Sequence, residues 1–252
     1  MSLLEKRLES MIGIIGGNGV AATNKLNSLI EERLTKKGAF RDAHHPEMII
    51  WQATQAPSRS MYLEGRGPSW IEDYVKVGNK LKLCGCDELC MCCNTAHYAI
   101  DELSEKIGIK FINLLDLVAM RCRDLEVKRV GMMCSDGLRK VGLYEKRFIT
   151  YAPEIEFVYP DEDYQKLVTK GICNAKDKIR FSNPEVEDLH PYNCFAKVCD
   201  HLLYDKGVDC IVAGCTDICN VYSQVQDNCK YKYVDSLCVL ADYIVSVAPR
   251  YF

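Results

Sequence analysis

Two short segments carry the residue types best suited to chemistry. GCDELCMCCNT runs from Gly85 to Thr95, and GVDCIVAGCTD from Gly207 to Asp217. In each, a glycine and an aspartate open an apolar strand that leads to a cysteine at the same offset, Cys93 in the first and Cys215 in the second. A threonine follows each cysteine, and a helical pattern follows each threonine. The segments read as copies of one strand–turn–helix unit. Two thiols presented by two facing lobes can act on opposite faces of one carbon. One, as thiolate, takes a proton; the other, as thiol, gives one; their roles then exchange. A free thiol has a pKa of roughly 8.5, and a helix N-terminus lowers it while attracting carboxylates. This is the equipment for inverting the Cα of an amino acid. Donors around the α-carboxylate must also stabilise the charge that develops on deprotonation. Asn94, Thr95 and Thr216 are the candidate donors, and the two threonines are equally candidate helix caps.

Elements that could position these residues alternate along the chain. Strands are expected at 11–15, 47–52, 87–92, 111–115, 129–134, 156–159, 209–213 and 231–234. Helices are expected at 20–36 and 70–83, with another beginning near Thr95, and further helical stretches separate most of the strands. The polar stretch 182–191, with two prolines, reads as a helix–helix connection. Such alternation implies βαβ units and mainly parallel sheets. With the repeat, it predicts an α/β protein of two pseudo-symmetric lobes, each a mainly parallel sheet flanked by helices, with the site in the cleft between them. Open α/β sheets place ligand crevices at the C-terminal ends of their strands. The expected division is residues 1–115 plus 233–252 for the lobe carrying Cys93, and 116–232 for the lobe carrying Cys215.

The 252 residues suffice for a sizeable core, and the net charge of −3 comes from acids and bases mixed along the chain. No basic stripe points to nucleic acid. No apolar run is long enough to span a bilayer. The opening MSLLEKRLES lacks the apolar core and cleavage site of a signal peptide, so a cytoplasmic location is expected. The fifteen cysteines are odd in number and read as buried apolar residues of a reducing compartment rather than a disulfide framework. Cys84, Cys86, Cys90, Cys92 and Cys93 lack the paired spacing of a zinc site, so no metal is expected. Cys90 and Cys92 are expected to share one strand face and pack in the core. The loop Gly17-Asn18-Gly19-Val20-Ala21-Ala22 fits a dinucleotide-binding pattern, but the next strand ends without the acid that would hold a ribose. The loop is expected instead to offer N–H groups, with Asn18 beside them, to a substrate carboxylate.

The segments MCCNTAH (91–97) and AGCTDI (213–218) resemble the two signature motifs of the aspartate/glutamate racemase superfamily, in its aspartate racemase branch. IGIIGGNGVAAT (12–23), APSRSMYLEGRG (56–67), GLYEKRF (142–148) and VYPDEDYQ (158–165) extend the resemblance over most of the chain. It implies a homodimer with no cofactor, acting on an acidic amino acid, aspartate or glutamate. It implies Cys93 and Cys215 as proton carriers and Asn94, Thr95, Thr216 and Ser135 at the α-carboxylate end. Arg59 then reads a carboxylate of the substrate. A second basic residue is implied near Lys176 and Lys178. The chain departs from the pattern at Asn18 and Val20 in the glycine loop, at Asp217 where glutamate is usual, and at Leu138 and Val141 where hydroxyl residues are common. Related architectures leave two alternatives: a maleate isomerase-like enzyme with a nucleophilic cysteine, and a non-catalytic small-molecule binding protein. His97 stands open between tuning Cys93 and packing beside the cleft.

Overall fold

The computed structural model describes residues 11–222 and 231–248. The opening segment read above for a signal peptide lies outside them. The first lobe contains β1 (Met11–Gly16), α1 (Val20–Lys36), β2 (Met48–Gln52), α2 (Arg59–Leu63), α3 (Ile71–Leu83), β3 (Cys86–Met91), α4 (Ile100–Ile107) and β4 (Lys110–Phe111). There follow α5 (Leu114–Asp124), β5 (Arg129–Met133), α6 (Asp136–Lys140), α7 (Leu143–Tyr151), β6 (Glu156–Val158), α8 (Glu162–Asn174) and α9 (Pro191–Asp200). The chain closes with β7 (Cys210–Ala213), α10 (Thr216–Tyr222), β8 (Lys232–Asp235) and α11 (Ser236–Val247).

The strands form two four-stranded parallel sheets, ordered β2-β1-β3-β4 and β6-β5-β7-β8. The two orders are the same permutation, so the repeat seen in sequence is a repeat of topology. β3 and β7 occupy equivalent inner positions, and each cysteine stands two residues past the end of its strand. Strands such as MIGIIG and CIVA read as unbroken apolar runs because helices cover both faces of a parallel sheet. β8 pairs with β7, so residues 232–235 lie in the second sheet, and the return toward the first lobe is made by α11, which packs on α1 and α5.

One core runs through both lobes, from Ile14 and Leu26 to Met132, Phe195 and Leu240. A second core, with Trp70, Tyr74, Leu89 and Leu103, lies under α3 and α4 on the outer face of the first sheet. Cys90 and Cys92 pack in the shared core and Cys86 in the second, while Cys84 is exposed. The expected strand at 111–115 is shorter than the sequence suggests. It ends at Phe111 because the Asn113 side chain accepts from the N–H groups of Leu115 and Asp116, turning the chain into α5. The helix expected near Thr95 begins as a 3₁₀ turn, Thr95–Ala99, before α4.

Candidate active site

Between the lobes lies a cavity of about 310 Å³, lined by Cys93 and Cys215 and by Asn18, Arg59, Asn94, Thr95, Ser135 and Thr216. The folding of β1 into α1 explains the place of Asn18. Gly17 takes a positive φ of 76°, and a Cβ there would stand 2.6 Å from the Ala53 nitrogen, so only glycine makes the turn. Asn18 is then buried, its Nδ2 donating to the Ile15 carbonyl (3.2 Å) and the Tyr74 hydroxyl (2.8 Å). Its Oδ1 is buried and without a hydrogen-bond partner.

The residues after each cysteine tie the lobes together. Asn94 Oδ1 accepts from the Tyr144 hydroxyl (2.5 Å), and its Nδ2 donates to Ser236 Oγ (3.0 Å). Thr95 and Ser135 share a hydroxyl hydrogen bond of 3.0 Å. Thr216 Oγ1 donates to the Cys92 carbonyl at 2.8 Å. Neither threonine hydroxyl caps its own helix. What remains to face an α-carboxylate is the second Asn94 amide hydrogen, one hydroxyl proton of the Thr95–Ser135 pair, and main-chain N–H groups beside the cysteines.

His97 is a buttress. Its Nε2 accepts from the Leu114 N–H (3.1 Å), which assigns the proton to Nδ1, and Nδ1 donates to the Cys93 carbonyl (2.8 Å). Burial pushes its pKa down to about 4, so the ring is neutral at physiological pH. It holds the backbone of Cys93 in place and does not line the cavity.

The charged groups around the two thiols differ. Arg59 stands against Cys93; burial works against its charge, but the neighbouring Cys93, Tyr74 and Asp217 side chains outweigh this and raise its pKa. Its Nη1 donates to the carbonyls of Ala56 (3.3 Å) and Pro57 (2.8 Å), and its Nε has no partner. Asp217 Oδ2 lies 3.9 Å from Cys215 Sγ and 2.9 Å from Lys176 Nζ. Burial and then the Asp217 carboxylate push the Cys215 thiol up to about 12. Cys215 is therefore a thiol near neutral pH.

Lys176, not Lys178, lines the cavity. It lies just past the Ala175 C-cap of α8, whereas Lys178 opens a separate 3₁₀ turn. Sequence reasoning noted Asp217 only as a departure and missed Tyr144, Ser236 and Ser60 altogether. Ser60 lies beside Arg59 and its Oγ accepts from the Gly137 N–H at 3.2 Å. Those partners are far apart in sequence, and no local spacing announces them. Among the described residues no cluster of three histidine, cysteine or carboxylate side chains could hold a metal ion, and no helix is long and apolar enough to cross a membrane.

A family model described as Asp/Glu/hydantoin racemase matches residues 12–244. The chain is 21% identical over 244 residues to a broad specificity amino-acid racemase of Bacillus subtilis, covering 96% of this chain and 99% of that one. Its fold superposes on the aspartate racemase of Picrophilus torridus with a TM-score of 0.78 at 24% identity, covering 94% and 93% of the two chains. An aspartate racemase homologue of Pyrococcus horikoshii gives a TM-score of 0.72 at 18% identity, covering 94% and 98%.

Proposed function

We propose that this chain, which belongs to the Asp/Glu/hydantoin racemase family, interconverts the enantiomers of an acidic amino acid, aspartate or glutamate, without a cofactor. Cys93 and Cys215 are the acid–base pair. The observation that carries this reading is the arrival of one cysteine from each lobe, at equivalent strand ends, in one cavity. A thiolate on one side takes the Cα proton while the thiol on the other gives its own, so protons balance in either direction. The charge that develops spreads into the α-carboxylate, where the Asn94 amide, the Thr95–Ser135 hydroxyl pair and the main-chain N–H groups of Thr95 and Thr216 stabilise it. Asn18 lines the same cavity and is the candidate for the α-ammonium group. Arg59 and Lys176 are the cations for the side-chain carboxylate; the planar fork of Arg59 supplies paired donors that a lysine does not. A homodimer in the cytoplasm belongs to the same reading.

The test is α-proton exchange in D₂O, followed by NMR, with aspartate, glutamate, asparagine and alanine and no added cofactor. Loss of the Cα–H signal is expected with at least one acidic amino acid. Arg59→Ala should abolish the preference for it over alanine. Absence of exchange with these and a wider panel of amino acids would remove the racemase reading and favour the isomerase or binding-protein alternatives. Equal rates on alanine and aspartate, unchanged by Arg59→Ala, would show that Arg59 does not read the side chain.

A further inference from the structure

The two thiols of the cavity are backed by opposite charges. Arg59 stands at Cys93, and a buried carboxylate stands at Cys215. Asp217 is only 4% exposed, and one of its oxygens, Oδ2, serves both the Cys215 thiol at 3.9 Å and the Lys176 ammonium at 2.9 Å. Lys176 is the ion-pair partner of this buried carboxylate. The carboxylate faces Cys215 as an acceptor for S–H and as a like charge against S⁻.

We infer that Asp217, held by Lys176, is a positioning residue that keeps Cys215 as the protonated, proton-donating member of the pair in the free enzyme. The inference rests on the racemase reading for its meaning in turnover. The resting form then has Cys215 as acid and leaves Cys93, beside Arg59, as base. One turnover transfers the Cα proton to the Cys93 sulfur and the Cys215 proton to Cα. The enzyme is left with Cys93 as thiol and Cys215 as thiolate beside Asp217; loss of the Cys93 proton to solvent together with uptake of one by Cys215, or the reverse reaction, restores the resting form. Lys176 has a double place in this scheme. A side-chain carboxylate that draws on Lys176 weakens its hold on Asp217, so substrate binding and the protonation of Cys215 are linked.

The groups that face Cys215 are few. Asp217 and Lys176 act on it most directly, with Cys93 across the cavity and Cys134 and Tyr144 from its own lobe; Arg59 reaches the cluster through Cys93 and Asp217. The main-chain N–H of Asp217 opposes its carboxylate by donating to the sulfur.

The test reads the thiol and not turnover. Wild type, Asp217→Asn and Lys176→Gln are alkylated with iodoacetamide across pH 6–10, and peptide mass spectrometry gives the rate at Cys215 relative to Cys93. Removing the carboxylate charge at about 4 Å should raise that ratio at pH 8 about tenfold or more, and removing the ammonium should lower it. Asp217→Asn with native circular dichroism and an unchanged ratio overturns the inference. If that variant does not fold, Lys176→Gln decides alone, since the Lys176 side chain is 55% exposed and its loss leaves the core intact; an unchanged or higher ratio there overturns it equally. Failure of α-proton exchange in the wild type would remove the racemase reading while leaving the alkylation result standing, so the two failures are distinct.

Discussion

At the scale of single residues, the proposed chemistry makes the two thiols unequal to the other cysteines of the chain. Cys93 and Cys215 line the cavity with intermediate exposure, whereas Cys90 and Cys122 are buried in the core. Replacing Cys93 or Cys215 by alanine should lower racemisation by about 10²–10⁴-fold, the usual contribution of a general acid or base. Cys93→Ser and Cys215→Ser should retain slow exchange from one enantiomer only. Cys90→Ala and Cys122→Ala should leave the chemistry alone. Racemisation rates followed by circular dichroism check all of these. Near-normal interconversion in either alanine variant would end the two-base assignment.

Arg59 reaches the cavity through an element and not through its own contacts. It opens α2, a helix of five residues whose N-cap, Ser58, accepts from the Met61 N–H. So short a helix has little stability of its own. It is fixed by docking on α6 of the other lobe, where Gly137 meets Ser60 so closely that a Cβ on Gly137 would lie 2.7 Å from Ser60 Oγ and 2.8 Å from Ser60 O. Lys140 Nζ adds a hydrogen bond to the Glu64 carbonyl at 3.2 Å. Gly137→Ala should therefore push α2 away and misplace Arg59. The overlap is with the Ser60 backbone as well as its side chain, so the gain from alanine within a helix is set against a broken dock. A displacement near 1 Å commonly costs on the order of 10²-fold in rate. The expected result is a loss of kcat/KM on acidic substrate with native far-UV circular dichroism. An unchanged kcat/KM would show that α2 holds Arg59 without this dock.

On the scale of the whole molecule, the lobes are not independent beads. α11 follows a strand of the second sheet yet packs on α1 of the first lobe and on α5, and a single core passes through all three. Leu240, fully buried in α11, sits in that weld. Leu240→Ala should cost about 2–5 kcal/mol, the range for such cavities. Both lobes should lose stability together. Trp70, buried in the outer core of the first lobe, reports that lobe by fluorescence, while far-UV circular dichroism reports the whole. Coincident, equally shifted denaturation curves are expected. Two separated transitions would mean that the lobes unfold singly and that the shared core couples them weakly.

How far the sequence reaches depends on the range of the interaction. Arg59 and Ser135 entered only as what the family resemblance implies. The strand–turn–helix repeat, the alternation of parallel strands and helices, and the two cysteine-bearing motifs as candidates were legible in the sequence itself. They are set by local apolar runs, by glycines at tight turns and by motif spacing, all of which act between near neighbours in the chain. The termination of β4 was misread because a single side-chain cap at Asn113 outweighs an apolar run. What only tertiary structure decided are meetings between distant segments. Asn94 is bound by Tyr144 and Ser236, and Thr216 is turned onto the Cys92 carbonyl. His97 is neutral because burial lowers its pKa, and its two nitrogens are spent on Leu114 and Cys93. Lys176 is chosen over Lys178, and Asp217 is set between that lysine and Cys215. Burial and charge at such a junction are sums over several elements, and no one stretch of sequence contains them.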